Sequence, residues 1–427
     1  MHHVILGAGP AGVIAAETIR KHAPKDTITM VGDEREPPYS RMAIPYLLMG
    51  NVGERGTYLR KSLTHFDDIS VKMVHAQARS VDAAARTVTL DNGETLTFDR
   101  LLIATGSHPT SAPIPGMDLP GIRSCWTMDD ARAIMKLATK GARVLQMGAG
   151  FIGCIIMEAL AARGVKLSVV EMGDRMVPRM MGPTAGNMIK DWCQAKGVQV
   201  FTKTKVEAIE KGSADAAMKV RLSNGTSMDV DLVISATGVK PAIGFLEKSG
   251  ITCLQGVLTD EHLQTNVPGI YAAGDCAEAF DKVSNKTIIS AIQPNAAEQA
   301  RVAALNMVGK VAALKGVTQI NVLDTLGMIS TSFGAWEGVP DGEHVELTDE
   351  AAGRHLSLQF KDDVLVGCNS VGWTDHVGVM RGLVEGQIRL GAWKDTLKND
   401  PTRLMDAYLA SAQAQSGWTG AQDERRR

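Results

Sequence analysis

The sequence predicts an α/β fold in which two similar doubly wound units precede a smaller α+β domain. Three observations carry that prediction. A strand, glycine turn and helix open the chain; the same pattern recurs from Arg143; and strand pairs with two helical runs follow residue 320. The 427 residues suit about three domains at roughly 150 residues each.

In the first unit, His3-Val-Ile-Leu-Gly-Ala-Gly9 is an apolar strand that breaks at glycine. Gly7-x-Gly9-x-x-Gly12 leads into a helix-forming stretch from Val13 to Ile19. A second apolar run, Thr27–Val31, ends in Gly32-Asp33-Glu34. This order is the Rossmann-like dinucleotide fingerprint in its required context. Gly7 makes the tight turn, Gly9 lets a pyrophosphate approach the backbone, and Gly12 lets the helix pack close to the strand. The helix N-terminus, with Pro10 and Ala11, faces the phosphates.

The second unit repeats the grammar. The strand Arg143–Met147 runs into Gly148-x-Gly150-x-x-Gly153, with Phe151 and Ile152 in the turn, then a helix over 155–162 and a strand over 165–170 that ends at Glu171. Two such units argue for two dinucleotides, a resident flavin and an exchanging nicotinamide. Glu171 is placed to accept hydrogen bonds from the adenosine ribose and to repel a 2′-phosphate, so NADH is favoured over NADPH. Arg175, the nearest cation, is expected to face solvent.

Composition excludes several classes. Lys plus Arg (45) against Asp plus Glu (47) leaves a net charge of −2, which offers no basic field for nucleic acid. The longest mostly apolar stretch, 149–160, is interrupted by Glu158 and is too short to span a bilayer. The N-terminus lacks the signal-peptide order, and no two of the six cysteines stand in a C-x-x-C spacing, so reduced thiols in the cytoplasm are expected. The ten histidines form no metal motif.

Three further segments join the fingerprints: Leu101-Leu-Ile-Ala104-Thr105-Gly106, Val233-Ile-Ser-Ala236-Thr237-Gly238 and Ile270-Tyr-Ala-Ala-Gly274-Asp275. The set resembles the pyridine-nucleotide–disulfide oxidoreductase superfamily over roughly residues 1–320. The resemblance implies FAD at the first fingerprint and NAD(P)H at the second, with Gly274 and Asp275 on FAD. It also implies an FAD domain of 1–115 and 247–320, an NAD domain of 116–246 and a C-terminal domain of 321–410, with 411–427 as a polar, disordered tail. Pro113–Gly116 reads as a linker. The C-terminal domain, through Leu365–Cys368 and Trp393–Leu397, resembles one that packs near the flavin and between subunits, so a homodimer or a complex is implied.

Within the family, Pro38-Tyr39-Ser40-Arg41 resembles the P-Y-x-R stretch of ferredoxin, rubredoxin and nitrite reductase flavoproteins, which runs beside the flavin. Ile44-Pro45-Tyr46 is similar to coenzyme A-disulfide reductases, but Met42 stands where those enzymes hold a redox cysteine. A thioether forms no thiolate or mixed disulfide, so electrons must leave the flavin directly. Arg41 and Tyr46 are the candidates near the flavin, Tyr46 standing where related reductases often carry lysine. Ile155 replaces the acid that relatives hold near the nicotinamide, and Glu158 is a turn too far along to substitute. Cys276 is expected to be packing, and Trp373, Asp375 and His376 a surface loop. The leading reading is an FAD-dependent NADH oxidoreductase serving a separate acceptor protein. The alternatives are an NADH oxidase or quinone or dye reductase, and a flavoprotein subunit with an impaired NAD site.

Overall fold

The computed structural model describes residues 1–213, 217–281 and 283–415. In the first unit the strands Ile270–Ala272, Arg100–Ile103, His2–Leu6, Thr27–Gly32 and Val71–His75 lie in that order, all parallel. The second unit repeats the plan with Gln199–Phe201, Lys166–Val170, Arg143–Met147, Leu232–Ser235 and Ile122–Arg123. Each fingerprint strand is central and buried on both faces, which is why it reads as a continuous apolar run. Both glycine turns therefore open at the carboxyl ends of the strands, where ligands bind in such sheets.

An antiparallel three-stranded meander lies on each unit, at Ala78–Asp82, Thr87–Leu90 and Thr95–Thr97, and at Val206–Lys211, Met218–Leu222 and Ser227–Val230. The alternating stretch from Ala78 to Leu90 is thus two strands. Asp82 accepts from the Ala85 N–H and Arg86 takes φ +54°, which makes a turn inside the run. Ser107–Pro109 and Val239–Pro241 form a short antiparallel ribbon between the two units.

The third domain is an antiparallel sheet in the order Ile320–Thr325, Met328–Gly334, Val364–Val371, Arg354–Lys361 and Glu343–Asp349. The helices Val377–Gly386, Trp393–Asn399 and Leu404–Gln415 bury Met380, Leu383, Leu397 and Leu404 against Phe333, Leu356 and Leu358 on one face. The other face, through Leu323, Met328 and Val371, joins the core of the second unit around Met157, Leu160 and Ile189. Asn369 clamps this contact: its amide donates to the Met180 carbonyl (2.8 Å), and its oxygen accepts from the Gly182 N–H (3.1 Å).

Three places near the expected boundaries carry packing contacts. Leu246 packs with Ile243 and Phe245 in the core of the first unit, so the chain returns there before 247. Ile114 and Met117 pack on the second unit, and the Pro115 carbonyl accepts from the Ile209 N–H, so the linker is pinned to that unit. The last helix continues to Gln415 with Ser411 buried, so the polar tail does not begin at 411; residues 416–427 lie outside the described residues. Among the described residues no helix is long and apolar enough to cross a membrane, and no cluster of metal-ligating side chains forms.

Candidate functional site

The first glycine turn is a tight backbone crossing. Gly7 takes φ +114°, and a Cβ there would lie 2.0 Å from the Ala104 carbonyl oxygen; one on Gly12 would lie 1.9 Å from the Gly7 oxygen. Gly9 is different. A Cβ on it would meet nothing within 4 Å, because it faces a cavity. The helix Pro10–His22 begins there with no side chain capping its N-terminus, which leaves its first N–H groups for an anion.

Two adjoining cavities of about 250 and 410 Å³ extend from this turn and share Gly32, Asp33 and Thr105. The smaller is lined by Gly9, Pro10, Ala11, Asp33, Glu34, Arg41, Ala104, Thr105, Gly106, Gly274 and Asp275, which the sequence assigns to FAD. Gly7 lines the larger, and Gly12 lies beneath the turn. Asp275 follows Gly274 at φ +82°; burial pushes its carboxyl up, opposed by the Ser107 hydroxyl that donates to it at 2.9 Å. An uncapped helix start, an open glycine cradle and a carboxylate in one connected cavity fit a flavin dinucleotide.

Arg41 lies in the wall, held from several sides. It donates to Glu34 (2.6 Å), to the Tyr39 hydroxyl (2.9 Å) and to the Trp126 carbonyl (2.6 Å). Its guanidinium also lies 5.5 and 5.2 Å from the Tyr39 and Trp126 ring centres. Its charge is therefore partly neutralised by Glu34 before any ligand arrives. Tyr46 is not brought to the cavity. The short helix Ile44–Leu48 turns Ile44, Leu47 and Leu48 inward, which leaves Tyr46 on the outer side, 54 % exposed.

The second turn repeats the first. Gly148 has φ +97° with its Cβ position 2.4 Å from the Ala236 oxygen, so Ala236, Thr237 and Gly238 run beneath it as residues 104–106 do in the first unit. Thr237 donates to the Thr110 carbonyl at 3.0 Å. Gly153 lies under the turn, 2.6 Å from the Gly148 oxygen by its Cβ position, and Gly150 faces open space. Glu171 accepts from the Ala149 N–H (2.8 Å) and the Gly173 N–H (2.7 Å), which fixes its carboxylate beside the turn. Arg175 does not face solvent as expected. It is 16 % exposed and folds onto the carbonyls of Met181 and Pro178.

The helix Phe151–Ala162 links the sites, because Phe151, Ile152, Ile155 and Ile156 line the same cavity as the flavin residues. The second turn thus reaches the flavin cavity through an apolar wall, with Ile155 in it. Glu158 points away, with Asp324 of the third domain close enough to raise its carboxyl further above the value set by burial.

Some residues escaped the sequence reading. Trp126 and Cys125 line the cavity, reached through a two-residue strand with no motif. Cys276 is buried outside the lining, its thiol donating to the Ile103 and Ala273 carbonyls. Among the described residues, none beyond Ala296 lines the cavity, so the third domain does not pack on it; Trp373, Asp375 and His376 lie elsewhere.

Two glycine turns, their acids and one shared cavity define a two-dinucleotide flavoprotein. The chain belongs to the pyridine nucleotide-disulphide oxidoreductase family, whose model matches residues 1–303. It is 30 % identical to the NADH-dependent phenylglyoxylate dehydrogenase subunit epsilon of Aromatoleum evansii, over 90 % of this chain and 91 % of that one. It is also 30 % identical to the NADH oxidase of Methanocaldococcus jannaschii, over 87 % and 88 %. Its fold matches the ferredoxin reductase for the CYP199A2 system of Rhodopseudomonas palustris with a TM-score of 0.78 and 25 % identity, over 87 % and 91 %. The protein is an oxidoreductase that uses FAD and NADH.

Proposed function

We propose that this chain passes electrons from NADH to a separate small redox protein of the ferredoxin or rubredoxin kind, in the cytoplasm, with no thiol in the path. The observation that carries this is Met42 in the cavity wall. The one thiol beside the cavity, Cys125, is buried and pushed up to about 12, so it keeps its proton. Held by the first turn and Asp275, FAD would supply hydride and electron-transfer chemistry that no side chain here provides.

The chain supplies position and electrostatics. The first turn and its helix start hold a pyrophosphate, and Asp275 orients hydroxyl groups near it. Ile152, Ile155 and Phe151 exclude water where the nicotinamide would stack, while Glu171 holds the adenosine end. No side chain is required to donate or take a proton at the apolar wall.

The test is anaerobic. Pure holoprotein mixed with NADH and a rubredoxin or ferredoxin should bleach the acceptor with one flavin acting catalytically. Fast NADH oxidation with oxygen or a quinone, and none with either redox protein, would favour the small-acceptor reading, which the relative named NADH oxidase supports.

A further inference from the structure

Met42 combines two properties. It lines the flavin cavity, and it is 48 % exposed. Met172 is more exposed, at 75 %, and Met1, Met73 and Met405 are exposed as well, but none of these lines the cavity. A thioether takes oxygen from peroxide according to access and local supply.

We propose that Met42 is a self-oxidation site, converted to methionine sulfoxide by hydrogen peroxide that the protein itself makes when oxygen, not the acceptor, takes the electrons. This rests on the flavin and NADH reading above. NADH, a proton and dioxygen give NAD⁺ and hydrogen peroxide. The Met42 sulfur then attacks one peroxide oxygen, the O–O bond breaks, a sulfur–oxygen bond forms, and the other oxygen leaves as water. Sulfur loses two electrons and peroxide gains them. Cys125 does not compete, because burial keeps it a thiol and the thiolate is the reactive form.

The product matters because of the lining it joins. Pro45, Phe151, Ile152 and Ile155 border the same cavity as apolar groups, and a sulfoxide at Met42 adds a polar oxygen to that lining. Desolvating that oxygen opposes the seating of a nicotinamide against the apolar lining. Oxidation of Met42 therefore slows NADH use when no acceptor draws off electrons.

The experiment cycles holoprotein with NADH and oxygen, without acceptor, and measures the 16-dalton gain on each methionine peptide by mass spectrometry, a gain of one oxygen. Parallel arms add catalase, or replace NADH with bulk peroxide at the concentration produced. Turnover should oxidise Met42 about threefold or more faster than Met172 and raise the KM for NADH by a similar factor. Catalase should spare Met172 and not Met42, and bulk peroxide should invert the ranking. The Met42→Leu variant should keep its own starting rate through the same exposure. Peroxide release with Met172 oxidised and Met42 unmodified would overturn the proposal, as would flavin that bleaches with NADH yet yields no peroxide. Flavin that does not bleach at all would instead overturn the reading on which it rests.

Discussion

The two glycine turns share a sequence pattern and a backbone, and differ in what surrounds them. In both, the first glycine has positive φ over a neighbouring carbonyl and the middle one faces space. The first acid, Glu34, is taken up by side chains, Arg41 and the Tyr39 hydroxyl, in a stretch whose Pro38, Tyr39, Arg41, Met42 and Pro45 line the cavity as a wall. The second acid, Glu171, is held by backbone N–H groups, that of Ala149 in the glycine turn and that of Gly173 in its own loop. Its helix instead turns its first apolar side chains toward the other site. The same motif thus stands in two different surroundings, a side-chain wall at one turn and a backbone-held acid at the other.

Filling each turn in its own variant separates the two sites by the largest effect. Gly9 has extended backbone and an open Cβ direction, so Gly9→Trp should fold and lose FAD, because the indole occupies the phosphate space. Normal flavin content in that variant, read from its absorbance, would sink the assignment of the first site. Gly150→Trp should keep full flavin and lose reduction by NADH by about a hundredfold or more, since a misplaced ligand costs at least that in rate. Flavin loss there instead would mean the two sites do not divide the cofactors as described.

A smaller change tests the second acid. Glu171→Ala removes a carboxylate that accepts two backbone N–H groups, each charged bond contributing about 1.5–3 kcal/mol. The ratio of kcat/KM for NADH over NADPH should fall, together with thermal stability. Wild-type protein that uses NADPH faster than NADH would contradict the role given to Glu171.

How far the sequence carried this reading depended on locality. The glycine turns were legible because each constraint lies within a few residues: a positive φ, a close carbonyl, a helix start. The wall by Arg41 was legible as a motif, but its charge partner Glu34 was not, since pairing depends on how residues 34–41 fold back. Trp126 and Cys125 come from a remote segment, placed by the pairing of Ile122 and Arg123 with Val233 and Ile234, by the Asp130 carboxylate that accepts from the Trp126 N–H and by Arg41 on the Trp126 carbonyl. The placement of the third domain on the second unit rests on Asn369 and on Leu323, Met328 and Val371, which read as ordinary strand residues until the faces are known.

That interface gives a weaker test. Burial raises the Glu158 carboxyl above its ordinary 4.5, and Asp324 raises it further. A raised folded value means the stabilising contribution is present below the unfolded pKa and lost as pH rises through the folded one. Glu158→Gln should therefore match wild type in melting temperature near pH 4 and exceed it slightly at pH 8. A variant less stable at pH 8 would show that the carboxylate has a partner that favours its charge.

The smallest expected effect is the most informative about electron flow. All six cysteines are free, and burial holds five of them from solvent. Cys154 and Cys193 share one core, but burial pushes both upward, Cys193 to about 12, so neither is a thiolate near neutral pH. Cys125 borders the cavity in the same protonated state, and Cys276 bonds to backbone carbonyls behind it. A variant with all six changed to Ala or Ser will lose some packing, so rates must be normalised to bound flavin. On that basis both flavin reduction by NADH and delivery to the acceptor should stay within about twofold of wild type, because cysteine to alanine removes little buried volume. If normalised flavin reduction persists while acceptor turnover collapses, a thiol carries electrons, and the direct path past Met42 is wrong.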